Sequence, residues 1–187
     1  MAILPIVKVP EAVLRQKTKK VKKIDLSIQK LIDDMIETMY DAPGVGLAAT
    51  QVGVSLRICV IHANDPDMRS NQDSSPGLIV LINPEIVKRS GTRLCTEGCL
   101  SLPHYRSDAV PRSEKVTVKG LNRDGRPVRY TAGGLFAEAI EHEVDHLNGI
   151  LYFDYLDGIE SLTAYGPAED DEDAPGEEEE VAATGPS

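Results

Sequence analysis

The sequence has no tryptophan, two phenylalanines and three cysteines in 187 residues, and it has no lysine or arginine after Arg129. Each scarcity excludes something. Three thiols are an odd number, so a disulfide framework is not expected and Cys59, Cys95 and Cys99 read as reduced thiols. No apolar run approaches the roughly 20 residues needed to cross a bilayer. The N-terminal Met-Ala-Ile-Leu-Pro-Ile-Val-Lys stretch is broken at Pro5 and lacks a basic start and a small-residue cleavage site, so no export signal is expected. The expected compartment is therefore the cytoplasm.

Bases are also outnumbered, 20 against 30 acids, for a formal charge of -10. That sign argues against DNA or an anionic membrane as partner, since phosphate contacts need clustered Lys and Arg. The excess is concentrated. Nine of the acids lie in residues 166–187, with no base, leaving 21 acids against 20 bases in residues 1–165. We expect one folded domain over 1–165 and an acidic, Pro- and Gly-containing tail over 166–187, too poor in apolar residues to offset its ordering entropy and so disordered. Its simplest role is solubility; binding a protein partner is the alternative. Contact with nucleic acid through one basic face is left open, because a net charge does not describe a single face.

What is present begins with an amphipathic helix over residues 25–41, where Leu26, Ile28, Leu31, Ile32, Met35, Ile36 and Met39 fall largely on one face. Pro43 and Gly44 stop it. Strands are expected at 56–61, 78–82, 85–89, 115–120 and 127–131, with a polar surface loop over 62–77. A second long helix runs from near Gly133 to about Asn148, ended by Gly149. The fold class is α+β: antiparallel or mixed sheets packed around this late helix, with one further N-terminal amphipathic helix.

The late helix carries His142-Glu143-Val144-Asp145-His146, an HExxH segment. Residues four apart are rotated by about 40° on an α-helix, so both imidazoles project from one face and can share a divalent cation. Glu143 stands about 100° round from His142, beside the cation, where a carboxylate can take a proton from water. A separate stripe of Phe136, Ile140, Val144, Leu147 and Leu151 suffices to anchor the helix in a core.

A third ligand is needed. The metzincin continuation HExxHxxGxxH fails, because Tyr152 stands where the last histidine belongs. Asp154, Asp157 and Glu160 would suit a site of two histidines and one carboxylate. Upstream, Cys99 follows Gly98 and would complete a Cys-His-His set with one position open, the arrangement of a catalytic centre. Cys59, inside an apolar strand, reads as core; Cys95 is ambiguous, and its spacing from Cys99 is a weak metal pair in itself.

Three segments taken together, residues 44–51 (GVGLAATQ), 97–101 (EGCLS) and 142–147 (HEVDHL), resemble peptide deformylase of the bacterial-like type 1 over roughly residues 1–160. The resemblance implies that Cys99, His142 and His146 bind the metal and that Glu143 is the general base and then acid. It implies oxyanion stabilisation by the Gln51 amide and the Leu100 backbone N–H. The implied reaction removes the formyl group from the N-terminal formyl-methionine of new polypeptides, releasing formate. The implied cofactor is one divalent metal, Fe2+, with Zn2+, Ni2+ or Co2+ able to substitute. The implied partners are N-formyl-methionyl nascent peptides. Val45, Gly46, Glu97, Arg106, Leu135 and Ala139 are implied at the substrate, with Val45, Leu135 and Ala139 walling a methionine pocket; a surface ion pair is the other reading of Arg106.

Departures from the family pattern are Glu141, where Gln is usual, and Glu138, where Arg or an apolar residue is usual. Both are expected to add negative charge beside the pocket and so to bear on substrate preference. The family's C-terminal helix looks truncated. His62 and His104 match no ligand position and read as loop residues. The competing readings are an HExxH metalloprotease and an inactive relative that binds nascent N-termini; Glu143 and Gln51 argue against the second, since a binder needs neither.

Overall fold

A computed structural model describes residues 2–63, 69–70 and 77–165. The acidic segment 166–187 and most of the expected 62–77 loop lie outside the described residues. Helix α1 (Leu26–Asp41) starts where Asp25 accepts hydrogen bonds from the Ser27 and Ile28 amides. It stops at Ala42, ahead of Pro43, with the Gly44 amide bonded back to the Met39 carbonyl. Ile28, Ile32, Met35 and Met39 are buried, whereas Leu26, expected on the apolar face, is exposed in the first turn.

Six strands form the larger sheet: β1 (Gly46–Ala48), β2 (Ile58–His62), β3 (Arg69–Ser70), β4 (Leu78–Ser90), β7 (Lys115–Leu121) and β8 (Pro127–Gly133), in the order β1-β2-β4-β7-β8-β3. A smaller sheet has the order β5-β6-β9, from β5 (Arg93–Cys99), β6 (Leu102–Arg112) and β9 (Thr163–Ala164). Every ladder between these strands is antiparallel. Helix α2 (Gly134–His146) packs on β1, β2, β4, β7 and β8.

The larger sheet is covered on both faces, which explains the unbroken apolar run of β2. Side chains alternate along a strand. Ile58 and Val60 join the core under α1, while Cys59 and Ile61 join the core with Phe136, Ile140, Val144 and Leu147 of the late helix and the turn that ends it. Ile79 and Leu81 against Val80 and Ile82 divide β4 the same way. Cys59 is thus core, as expected.

The two short strands expected at 78–82 and 85–89 are one strand. Asn83, at φ 55°, and Pro84, which has no amide to donate, make an irregularity between Ile82 and Glu85 without ending the pairing to β7. The Asn83 side chain is bonded to both the amide and the carbonyl of Val21. Within the expected loop, Arg69 and Ser70 pair with β8. The β5–β6 hairpin was not expected as strands at all. No helix among the described residues is long and apolar enough to cross a membrane.

Beyond α2 the chain turns at Gly149, whose φ of 76° and contact with the Arg15 carbonyl leave no room for a side chain. This turn sends the chain back along the smaller sheet, where Tyr152 joins Cys99 and Val110 in a separate apolar cluster. Phe136 is fully buried at the contact between α2 and the larger sheet. Phe136→Ala should therefore lower the unfolding free energy by about 3–5 kcal/mol, measured by denaturant titration followed by far-UV circular dichroism.

Candidate active site

One turn of α2 separates His142 from His146, and their Nε2 atoms lie 3.2 Å apart. Cys99, at the end of β5, brings its Sγ to 3.2 Å from His146 Nε2. The three ligand atoms all lie within 4.8 Å of one another, and Cys99 and His146 are buried. Burial pushes the Cys99 thiol up, but the His146 and His142 imidazoles outweigh it and draw the group well below its ordinary value. A thiolate and two imidazole nitrogens converging from one side are a donor set that fits a borderline divalent cation. None of the other candidate ligands, Cys95, Asp154, Asp157 or Glu160, belongs to this group. Asp154 instead pairs with Arg15 and accepts from the Leu151 amide.

The donors are held by a buried ionic network that the sequence reading missed. Arg112, on β6, presents Nε and Nη2 to the two oxygens of Glu97 on β5, and Nη1 to Asp145 on α2. All three side chains are nearly inaccessible. The second Glu97 oxygen also meets His142 Nδ1 at 2.9 Å, which fixes the ring with Nε2 toward Cys99. Tyr155 donates its hydroxyl to Asp145, and its ring lies 5.0 Å under the Arg112 guanidinium. Burial would raise the Glu97 carboxyl, yet hydrogen bonds from Arg112 and His142 outweigh it and hold it at about 2. Glu97, implied at the substrate, lines the cavity but has both oxygens engaged here.

A cavity of about 510 Å³ opens onto these groups. Its helical wall is Leu135, Glu138, Ala139, His142 and Glu143, facing Val45 and Gly46 beside the α1 stop. Glu143 is 3 % exposed, and its Oε2 has no hydrogen-bond partner among the described residues. Burial raises this carboxyl to about 7, against the pull of His142 and His146. The carboxylate lies directly on Gly46, where any Cβ would collide with Oε1. The glycine is there for close approach. Gln51 is held by its Oε1, which accepts from the Ala48 amide, so Nε2 is turned to Cys99 Sγ at 3.5 Å and Ser101 Oγ at 3.3 Å. Leu100 completes this end of the cavity.

Several expectations need correction. Arg106 is not among the cavity-lining residues; its guanidinium stacks 5.4 Å from the ring of Tyr165, and it is Tyr165 that lines the cavity. Glu141 does not face the cavity either. It is buried behind the helix, bonded by Arg89 and by the amide and hydroxyl of Ser113. Glu138 does line the cavity but is paired with Arg93, so neither departure adds an unbalanced charge at the pocket. His62 ends β2 edge-on to Tyr40, and His104 lies on β6 and lines the cavity; neither is a loop residue.

The family model described as polypeptide deformylase matches residues 3–161. The chain belongs to the polypeptide deformylase family. A peptide deformylase of Dehalococcoides mccartyi strain CBDB1 is 53% identical over 172 residues, covering 92% of this chain and 96% of the relative. One of Syntrophobacter fumaroxidans is 52% identical over 159 residues, covering 85% and 89%. Among solved structures, the peptide deformylase of Legionella pneumophila superposes with a TM-score of 0.76 at 48% identity, covering 86% of this chain and 89% of that one. That of Synechococcus elongatus, in complex with actinonin, gives 0.74 at 40% identity, covering 83% and 79%. Family membership and the Cys99, His142 and His146 cluster together support a divalent-metal site in this deformylase.

Two outcomes follow from the ionic network. Arg112→Met leaves Glu97 and Asp145 buried without their cation, and should weaken cobalt affinity by about 10- to 100-fold in chelator-competition titrations, with Arg112→Lys between. The Glu97 carboxyl titrates at about 2 in the fold, against an ordinary value of 4.5. Its contribution to stability is full above about pH 4.5 and is lost as pH falls toward 2. Unfolding free energy measured across that window should fall more steeply in the unaltered protein than in Glu97→Gln.

Proposed function

We propose that residues 1–165 form the catalytic unit, in which Cys99, His142 and His146 hold one divalent metal and Glu143 transfers protons. The activity is that of a peptide deformylase: hydrolysis of the N-terminal formyl group of formyl-methionyl polypeptides, releasing formate. The observation that carries the assignment of roles is Glu143. A buried carboxylate with an unpartnered oxygen, beside three convergent metal donors, is what a general base requires.

A divalent cation at this site supplies Lewis acidity and lowers the cost of deprotonating water at neutral pH. The residues do the rest. Glu143, raised to about 7, takes a proton from the attacking water and passes it to the methionine nitrogen as the formyl carbon–nitrogen bond breaks. The water oxygen stays with the formyl carbon as formate. Gln51 Nε2 and the Leu100 amide donate to the oxygen that gains charge, a role worth about 2.7–4 kcal/mol per donor in comparable sites. Gly46 keeps the base against the cavity.

Substrate is held between two sheet edges. β1 and β5 are each outermost in their sheets, and both line the cavity through Gly46 and through Thr96 and Gly98. An extended peptide pairs with such edges through its backbone. Val45, Leu135 and Ala139 then flank the methionine side chain, and Glu97 acts on His142 instead of on substrate.

Iron is the metal we assign, on the strength of the resemblance alone, since thiolate and imidazole donors suit iron, zinc, nickel and cobalt alike. We place the enzyme in the cytoplasm, acting on nascent chains. Association with the ribosome is supported by the exposed lysines 17, 19, 20, 22 and 23, a basic stretch that the net charge conceals.

Formate release from a formyl-Met tripeptide tests the reading. Nickel- or cobalt-loaded protein turns it over, and Glu143→Ala, with metal retained, loses at least about 100-fold in kcat. No turnover with iron, nickel or cobalt overturns it. Iron-loaded protein should lose activity faster in air than under nitrogen, and the nickel form should not.

A further inference from the structure

We infer that Tyr165 is a specificity-determining residue, forming the wall of the cleft that receives the side chain following the methionine. The inference deepens the deformylase reading and rests on it. The residue belongs to none of the sequence motifs. It reaches the site only because β9 adds a third strand to the smaller sheet, with Tyr105 opposite Ala164 and Arg106 opposite Thr163. The Tyr165 amide then donates to the His104 carbonyl at 2.8 Å, which carries the next side chain toward β5.

There the phenol lies over Gly98. A Cβ built on that glycine would stand 3.1 Å from the Tyr165 hydroxyl oxygen. Gly98 immediately precedes the thiol ligand and sits on the edge of β5 that borders the cleft. Arg106 stacks on the ring and holds it in place.

Strand geometry connects this wall to one residue of the substrate. In an extended peptide held between β1 and β5, successive side chains point to opposite sides. The methionine side chain points to the α2 wall of Leu135 and Ala139. The next side chain therefore points away from α2, to the wall that the smaller sheet provides through His104 and Tyr165. An aromatic ring with one face on a guanidinium offers apolar area there at little conformational cost. Large apolar or aromatic second residues gain from it, and glycine does not.

The test compares formyl-Met-Phe-Ser with formyl-Met-Gly-Ser. In Tyr165→Ala the KM for the phenylalanine peptide should rise about three- to tenfold more than the KM for the glycine peptide, with kcat changing less than KM. Arg106→Ala, which frees the ring without removing it, should show a smaller change of the same sign. Equilibrium binding of the products Met-Phe-Ser and Met-Gly-Ser should report the same shift. An equal KM change for the two peptides in Tyr165→Ala would overturn this wall and leave the deformylase reading intact. Absence of formate release by the unaltered protein from either peptide would overturn both.

Discussion

The guanidinium of Arg112 is the charge on which the site depends. It lies where the hairpin that carries Cys99 meets the helix that carries His142 and His146, and it bonds to a carboxylate on each. A cation buried this completely is costly unless every donor is used, and two carboxylates in the same place are costly without it. The three groups therefore stabilise one relative position of hairpin and helix. Through Glu97 that position extends to the His142 ring, and through Asp145 to the aromatic turn after the helix.

The same helix is acidic on its other sides, and each charge is answered from a neighbouring strand. Arg89 and Ser113 meet Glu141, and Arg93 meets Glu138. The absence of bases after Arg129 is thus a matter of sequence order and not of space: the bases that balance the metal helix come from β4, β5 and β6. Glu143 differs in that no base pairs with it among the described residues: one oxygen has no hydrogen-bond partner there, and burial raises its pKa against the pull of the two histidines.

Much of the fold was legible. The 3.6-residue periodicity of α1, the Phe136 stripe of α2 and the β-branched run of β2 each reflect a surface buried against a neighbour, and periodicity reports burial directly. The β5–β6 hairpin was not legible, because Glu97 occupies an inward position of β5 between the inward Cys95 and Cys99. A charged residue at a buried position hides a period of two unless its partner is known, and that partner lies 15 residues away. Likewise the strand of two residues at Thr163 has no pattern of its own, so nothing pointed to Tyr165.

The sequence by itself determined the chemistry. HExxH on a helix sets two imidazoles on one face with a carboxylate beside them, through residue type and local spacing that the regular geometry of a helix converts into direction, and the segments around Gln51 and Cys99 carry the family resemblance that implies the reaction. Tertiary structure alone decided how those groups are held and what surrounds them. Arg112 between Glu97 and Asp145, Gly46 against Glu143 and Tyr165 over Gly98 are contacts between segments remote in sequence. Such contacts follow from how strands and helices pack, and local spacing along the chain carries no record of them.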